Sequence, residues 1–371
     1  MRILRRLPLL LTLLLAATPL AAQNRWLSNY YPYIASAPNT FPLLGARYDY
    51  RRDAEWDDSW LSDGSLAATV ALGFNGSQMA TLVFRAPGLW KDWRLFAEGF
   101  GTKDSRMGYF GVGNDSPYDP SLEVDHSEYY RVRRGRLGGR VEVTRRIAGH
   151  LEAAVAGGVV STKFTALPAP TLFGTQAGNE LESTDYTGSL RLVYDTRDRE
   201  YNPTTGTLLQ AGGLVGNDYG RFSGDARGFV HPFVSTVVAG RLTAVSTTGT
   251  PPLSSAYELQ LWEESRWQYG GQETNRGLVG GRLIDADQLS ASLEVRQTII
   301  DVGDLAAVGV IAFMDVGRVF PEGGLSLTTS GMVVTGGGGL MFRALKAGIM
   351  TLNFAGGPDG FIFSATTGWA F

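Results

Sequence analysis

The sequence predicts an all-β protein: a transmembrane antiparallel β-barrel of sixteen strands, with fourteen as the alternative count, and with an extracellular loop folded into the lumen. Three observations predict it. Apolar and polar residues alternate with period two along one segment after another, as a wall between lipid and a polar lumen requires. After Ala22 no apolar run reaches the roughly 20 residues of a membrane-crossing helix, and the longest, Leu305 to Met314, is about half that. The connections also sort into a short and a long set, the pattern of a barrel with one periplasmic and one extracellular rim.

Taken in chain order, Arg2, Arg5 and Arg6 precede an apolar run from Leu7 to Ala17, and Leu20-Ala21-Ala22 supplies small residues before Gln23. This pattern predicts a secretory signal peptide over residues 1–22 and a barrel domain over 23–371. Cysteine is absent, so neither a disulfide nor a cysteine-linked lipid anchor is available. Thirty-three basic residues against 36 acidic ones give a net charge of −3, with no basic tract for nucleic acid to follow.

A weak opening strand is expected around Trp26 to Ile34, because single-chain bacterial barrels take an even strand number and about fifteen other candidates are present. These lie near 40–52, 64–75, 77–87, 91–104, 128–146, 150–163, 184–195, 206–217, 222–232, 235–247, 287–300, 305–318, 331–344, 346–355 and 361–371. In the 128–146 segment, Leu137, Val141 and Val143 oppose Arg136, Arg140, Glu142 and Thr144. Leu190, Leu192 and Tyr194 oppose Ser189, Arg191 and Val193. Further on, Leu289, Ala291, Leu293, Val295 and Ile299 oppose Ser290, Ser292, Glu294, Arg296 and Thr298, so Glu294 and Arg296 form an inward charged wall. The last segment puts Phe361, Phe363, Ala365, Trp369 and Phe371 on one face, the aromatic C-terminal signature of a barrel strand.

Short connections at 301–304, 345–346, 232 and 148–149 are assigned to the periplasmic rim, and long ones at 105–127, 164–183, 248–286 and 319–330 to the outside. Two depart from the sorting: Asn75-Gly76 is a tight hairpin signal on the outer side, and 53–63 is long for the inner side.

The longest connection contains Arg276 among glycines, in "YGGQETNRGLVGG". Ala306, Val308, Val310, Ala312, Met314 and Val316 make an unbroken apolar row, so Asp315 points inward with Gly309, Phe313 and Gly317. An inward carboxylate beside a residue without a side chain leaves space for an insert. The chain from Gly249 to Arg276, at about 3.3 Å per residue, is ample to fold back into the lumen. The expectation is that Arg276 caps a lumenal loop and binds Asp315 through its planar fork.

These residues carry a resemblance. "NRGL" at 275–278, "GGR" at 280–282, "SLEVR" at 292–296 and "FMDVG" at 313–317 are similar to the lumenal-loop and partner motifs of the BamA/TamA family of outer-membrane barrels, the bacterial surface antigen domain. "DTRDREYNPTTG" at 195–206, "YFGVGN" at 109–114 and the pair Trp369 and Phe371 add to it. The resemblance implies a sixteen-stranded barrel whose first and last strands pair weakly, in a family that inserts barrel proteins into the outer membrane or exports polypeptides. It implies Arg276 as the loop arginine, with Asn275, Gly277 and Leu278 completing the motif, Asp315 as its partner beside Phe313, and Gly317 as a packing position. The family usually carries an apolar residue where this chain has Asn275 and an aromatic one where it has Leu278. The expected barrel starts soon after the expected cleavage site, which leaves no room for the family's periplasmic receptor repeats.

No enzymatic chemistry is expected. His126, His150 and His231 are scattered, with neither metal-ligand spacing nor a nucleophile elbow, and Gly336 to Gly339 lacks the lysine and helix of a phosphate loop. No catalytic residue, metal or cofactor is therefore assigned. The expected location is the outer membrane of a Gram-negative-type bacterium. The expected partners are outer-membrane lipid, client polypeptides or a separate periplasmic receptor subunit, and the barrel-assembly machinery during biogenesis. Three readings stay open: a barrel assisting insertion or translocation of proteins or lipids through its seam, a passive or structural barrel with a plugged lumen, and, third, a barrel hydrolase.

Overall fold

A computed structural model describes residues 25–37, 40–116, 118–261, 263–346 and 348–371. The expected signal peptide lies outside them. The wall is built in chain order from β1 Leu27–Ala37, β2 Thr40–Asp53, β3 Ser62–Gly73, β4 Gln78–Trp90, β5 Trp93–Gly108, β6 Arg131–Ala148, β7 Leu151–Ala166, β8 Glu180–Asp195, β9 Gly206–Val215, β10 Tyr219–Phe233 and β11 Thr236–Gly249. A small hairpin follows, β12 Glu258–Leu261 and β13 Glu264–Trp267, and the wall resumes with β14 Asp287–Asp301, β15 Ala306–Phe320, β16 Val333–Ala344, β17 Gly348–Gly357 and β18 Gly360–Thr367. Sixteen of these strands form one antiparallel sheet, from β1 at one edge to β18 at the other, while β12 and β13 pair only with each other. The fold is thus the expected sixteen-stranded barrel with a loop in its lumen. Among the described residues no helix is long and apolar enough to cross a membrane.

The alternation decides which side chains face lipid. Leu190, Leu192 and Tyr194 are 60, 54 and 42% exposed, whereas Arg191 and Val193 between them are 4 and 0% exposed. The opening strand is β1; Trp26, just before it, stacks on Tyr50 of β2, and Tyr30 lies tilted against Tyr48, each pair with ring centroids 4.8 Å apart. Three short helices stand on the long connections: α1 Ser121–Asp125, α2 Leu172–Ala177 and α3 Leu253–Tyr257. Tyr257 packs with Phe164, Phe173 and Met107, so the largest apolar cluster joins the 250–286 loop to the wall at β5–β7.

One expectation needs correction. The sequence predicts a final strand running to Phe371 with Trp369 and Phe371 on the same face as Phe361 and Phe363. Phe361 and Phe363 are exposed as expected, at 71 and 57%. The strand stops at Thr367, however, and Gly368 adopts a φ of +90°, outside the extended region. That reversal breaks the period of two and sends 369–371 into the lumen.

Candidate functional site: the lumenal plug and the seam

Strand register assembles the wall side of the site. Ser292 lies opposite Asp315, Glu294 opposite Phe313, and Ser290 opposite Gly317 across β14 and β15. Across β15 and β16, Asp315 lies opposite Thr335 and Phe313 opposite Gly337. Because all point inward, a carboxylate pair, an aromatic ring and two glycine gaps form one continuous patch.

The loop fills that patch. Arg276 donates from Nε and Nη2 to the two oxygens of Asp315, both at 2.9 Å, and its backbone N–H adds a third bond to Asp315 at 3.0 Å. Nη1 donates to Glu294, whose other oxygen accepts from Arg296 Nε at 2.7 Å. The guanidinium also stacks 3.6 Å above the centre of the Phe313 ring. Arg276, Asp315 and Glu294 are 3, 1 and 1% exposed, so these charges are compensated by one another rather than by water.

Gly317 is the packing position. A Cβ there would lie 2.8 Å from the Tyr269 ring and 2.7 Å from Ser290 Cβ, so Tyr269 occupies the space that a side chain would need. Gly277 is equally tight against the wall, where an added Cβ would meet Thr335 at 2.5 Å. Asn275 ties the loop to itself and to β16: it donates to Tyr269 Oη at 2.8 Å and accepts from Thr335 Oγ1 at 2.7 Å. Leu278 is buried with Tyr269, Leu283 and Val319. The sequence-derived site residues Asn275, Arg276, Gly277, Leu278, Glu294, Phe313, Asp315 and Gly317 therefore meet in one place.

Further ties run the length of the loop. Arg134 and Arg136 both donate to Glu258, Arg241 donates to the Glu273 carbonyl at 2.9 Å, and Tyr257 donates to the Gly108 carbonyl at 3.2 Å. Arg282 donates to Asp359 in the β17–β18 turn and to Ser116 in the β5–β6 connection. Burial raises the Asp359 carboxyl above its ordinary range, and Arg282 opposes that shift.

Two stretches singled out in the sequence only as motifs, 195–206 and the pair Trp369 and Phe371, take positions in the lumen that the sequence did not show. The 196–205 connection folds up as a floor at the periplasmic end: Glu200 accepts from Arg94 at 2.7 Å, the Glu200 N–H donates to the Ser59 carbonyl, and the Pro203 carbonyl accepts from Arg296. The 368–371 tail is the second. Trp369 donates to Asn202 of the floor at 2.9 Å and lies beneath the Arg296 guanidinium, 3.9 Å from the ring centre. Phe371 is buried on Phe229 and Ala239 of β10 and β11. Arg266 and Arg296 donate to the carbonyls of Ala370 and Phe371 at 2.6 and 3.2 Å, and Gln272 of the plug donates to the Ala365 carbonyl on β18 at 3.3 Å. The plug therefore grips the last wall strand and the tail beyond it. Among the described residues no hydrogen-bonded ladder joins β18 to β1. No group of three or more histidine, aspartate or glutamate side chains is placed to hold a metal among them either.

Residues 65–355 match the Omp85 superfamily domain. The chain belongs to the Omp85 superfamily. Solved structures agree on the fold. BamA from Haemophilus ducreyi, lacking POTRA domains 1–3, superposes with a TM-score of 0.57 at 14% identity, covering 93% of this chain and 70% of that one. CdiB from Escherichia coli superposes with a TM-score of 0.55 at 10% identity, covering 92% of this chain and 61% of that one. No curated protein sequence matches the chain. Membership of the Omp85 superfamily points to the outer membrane and to the class of barrels concerned with protein insertion or translocation there.

Proposed function

We propose that this Omp85 barrel assists insertion or translocation of proteins or lipids at the outer membrane through the seam between β1 and β18, without enzymatic chemistry. The observation that carries the proposal is that, among the described residues, the two sheet edges are not laced together: β18 is eight residues long, and the chain beyond it turns inward instead of extending the wall. In hydrocarbon each unpaired backbone group costs several kcal/mol, so an open edge is a standing template for an incoming strand. The filled lumen directs the activity sideways, since plug and floor occupy the axial path. A passive barrel is favoured by the same filling and is the alternative that the test must separate.

The test is reconstitution of the full chain in liposomes, with the folding rate of an unrelated, unfolded barrel protein as the readout. Acceleration by the barrel is expected, and its loss when β1 and β18 are joined by an introduced disulfide. The chain holds no native cysteine to interfere. No acceleration by the unlinked barrel supports the passive reading.

A further inference from the structure

The lipid-facing wall carries a cationic notch that no part of the plug or seam uses. Register places Lys103 of β5, Gly135 of β6 and Lys163 of β7 in one row, with alternation turning all three outward. Arg133 stands two positions above Gly135 on the same face of β6, opposite Thr165. Neighbouring strands lie about 4.8 Å apart, so the lysine backbones are about 10 Å apart, with a residue lacking a side chain between them. A Cβ on Gly135 would meet nothing within 4 Å, so the gap is open. Lys103 and Arg133 are exposed, and among the described residues neither has an ion-pair or hydrogen-bond partner. Two carboxylates border the notch, both on β8: Glu180 pairs with Lys163 at 3.0 Å, and Glu182 lies opposite Lys163 in the row. The uncompensated cations are therefore on the β5–β6 side.

Height identifies what faces the notch. Down the outer face, Trp93 lies opposite Arg145, whose guanidinium sits 5.1 Å from the centre of its ring, an aromatic-cation pair suited to the inner membrane interface. From Trp93 up to Lys103, ten residues at about 3.4 Å each and a tilt of about 40° climb about 26 Å, which matches the apolar band of about 25 Å in outer-membrane barrels. The outward residues between, Leu95, Ala97, Gly99 and Gly101 on β5 and Val143, Val141, Gly139 and Leu137 on β6, carry no charge. Lys103, Arg133 and Lys163 therefore stand at the boundary where the long-loop, extracellular side begins. An unpaired cation at that level meets headgroups.

We infer that Lys103 and Arg133, beside the open space at Gly135, form a binding site for the phosphate of an outer-leaflet lipid headgroup. Lys103 acts as a point charge on one flank and Arg133 supplies a fork from above, while Lys163 on the other flank is held by Glu180. The acyl chains of the lipid lie down the uncharged strip over Gly101 and Leu137, the latter 70% exposed.

Native mass spectrometry of the full chain in detergent tests the site, with diphosphorylated lipid A, its dephosphorylated form and inorganic phosphate as probes. The folded barrel should retain the phosphorylated lipid, and the Lys103→Gln/Arg133→Gln pair should retain it roughly thirtyfold less, as expected for two surface cations. Gly135→Leu, which fills the notch and keeps every charge, should also weaken retention. Arg145→Gln, at the opposite interface, should bind as the parent does. Equal retention of the dephosphorylated lipid, unchanged binding by the double variant, a matching loss in Arg145→Gln, or uptake of inorganic phosphate in preference to the lipid would each overturn the assignment. Heat-modifiable gel migration reports that each variant is folded.

Discussion

Replacing Arg276 tests whether the plug is held by a balanced set of buried charges. Arg276 and Arg296 carry two positive charges and Asp315 and Glu294 two negative ones, all at most 3% exposed. Arg276→Ala leaves two carboxylates facing one guanidinium, and Asp315→Ala leaves two guanidinium groups facing one carboxylate. Breaking a buried pair from one side costs about 3–5 kcal/mol. Asp315 keeps the backbone N–H of residue 276 as a partner, which holds the arginine variant toward the lower end. The double variant leaves only Glu294 with Arg296, a neutral pair still bonded at 2.7 Å. It should therefore cost less than the two single losses together, by about 1–3 kcal/mol. Arg276→Lys keeps the charge and loses the fork on Asp315, so it should fall between parent and alanine. Urea unfolding of the barrel refolded in lipid vesicles, followed by tryptophan fluorescence, measures each corner of the cycle. Additivity within about 0.5 kcal/mol, or a lysine variant as stable as the parent, would refute the reasoning.

The packing at the plug and the turn at the tail make two further predictions. Gly317→Val drives a side chain into the Tyr269 ring, so it should cost about 1–3 kcal/mol and expose the 250–286 loop to protease, with Tyr269→Ala partly restoring protection; unchanged protease resistance would count against the contact. Gly368→Val must hold a positive φ at about 1–2 kcal/mol, which should loosen the tuck of Trp369 and Phe371 and raise amide exchange over 369–371; exchange as slow as in the parent would show that the tail does not depend on that turn.

Much of this architecture was legible because a barrel wall has only two kinds of neighbour. Leu190-Arg191-Leu192-Val193-Tyr194 records lipid and lumen in turn, and Asp315, centred in an apolar alternation, can point only inward. The 276–315 pair was readable for the same reason: a buried carboxylate needs a cation, and the longest loop offered one among glycines. The floor and the tail were less legible since neither obeys a period. Residues 196–205 satisfy their backbone through side chains, as where Asp198 accepts from the Thr204 and Thr205 N–H groups, and such local caps read as an ordinary turn. At the tail, one glycine cancels the alternation that the aromatic residues on either side continue in sequence. Gly368 between Thr367 and Trp369 was the available signal, and period-two reading gives it no weight.

The physical demand behind these inserts is the width of the barrel. Sixteen strands enclose more space than inward side chains can fill, so inward arginines and carboxylates need partners brought from loops. Those partners converge on Arg296. It bonds Glu294 on its own strand, the Pro203 carbonyl of the floor and the Phe371 carbonyl of the tail, and covers the Trp369 ring. Glu294 in turn is shared with Arg276 of the plug. Plug, wall, floor and tail are thus linked through one four-charge cluster. Withdrawing Arg276 leaves Glu294 with Arg296 as its single guanidinium partner in that cluster, so the tail bonds that Arg296 makes should respond to a change at the plug. Arg276→Ala should therefore raise amide exchange over 369–371 although residue 276 touches none of them; exchange as slow as in the parent would show that plug and tail are held independently.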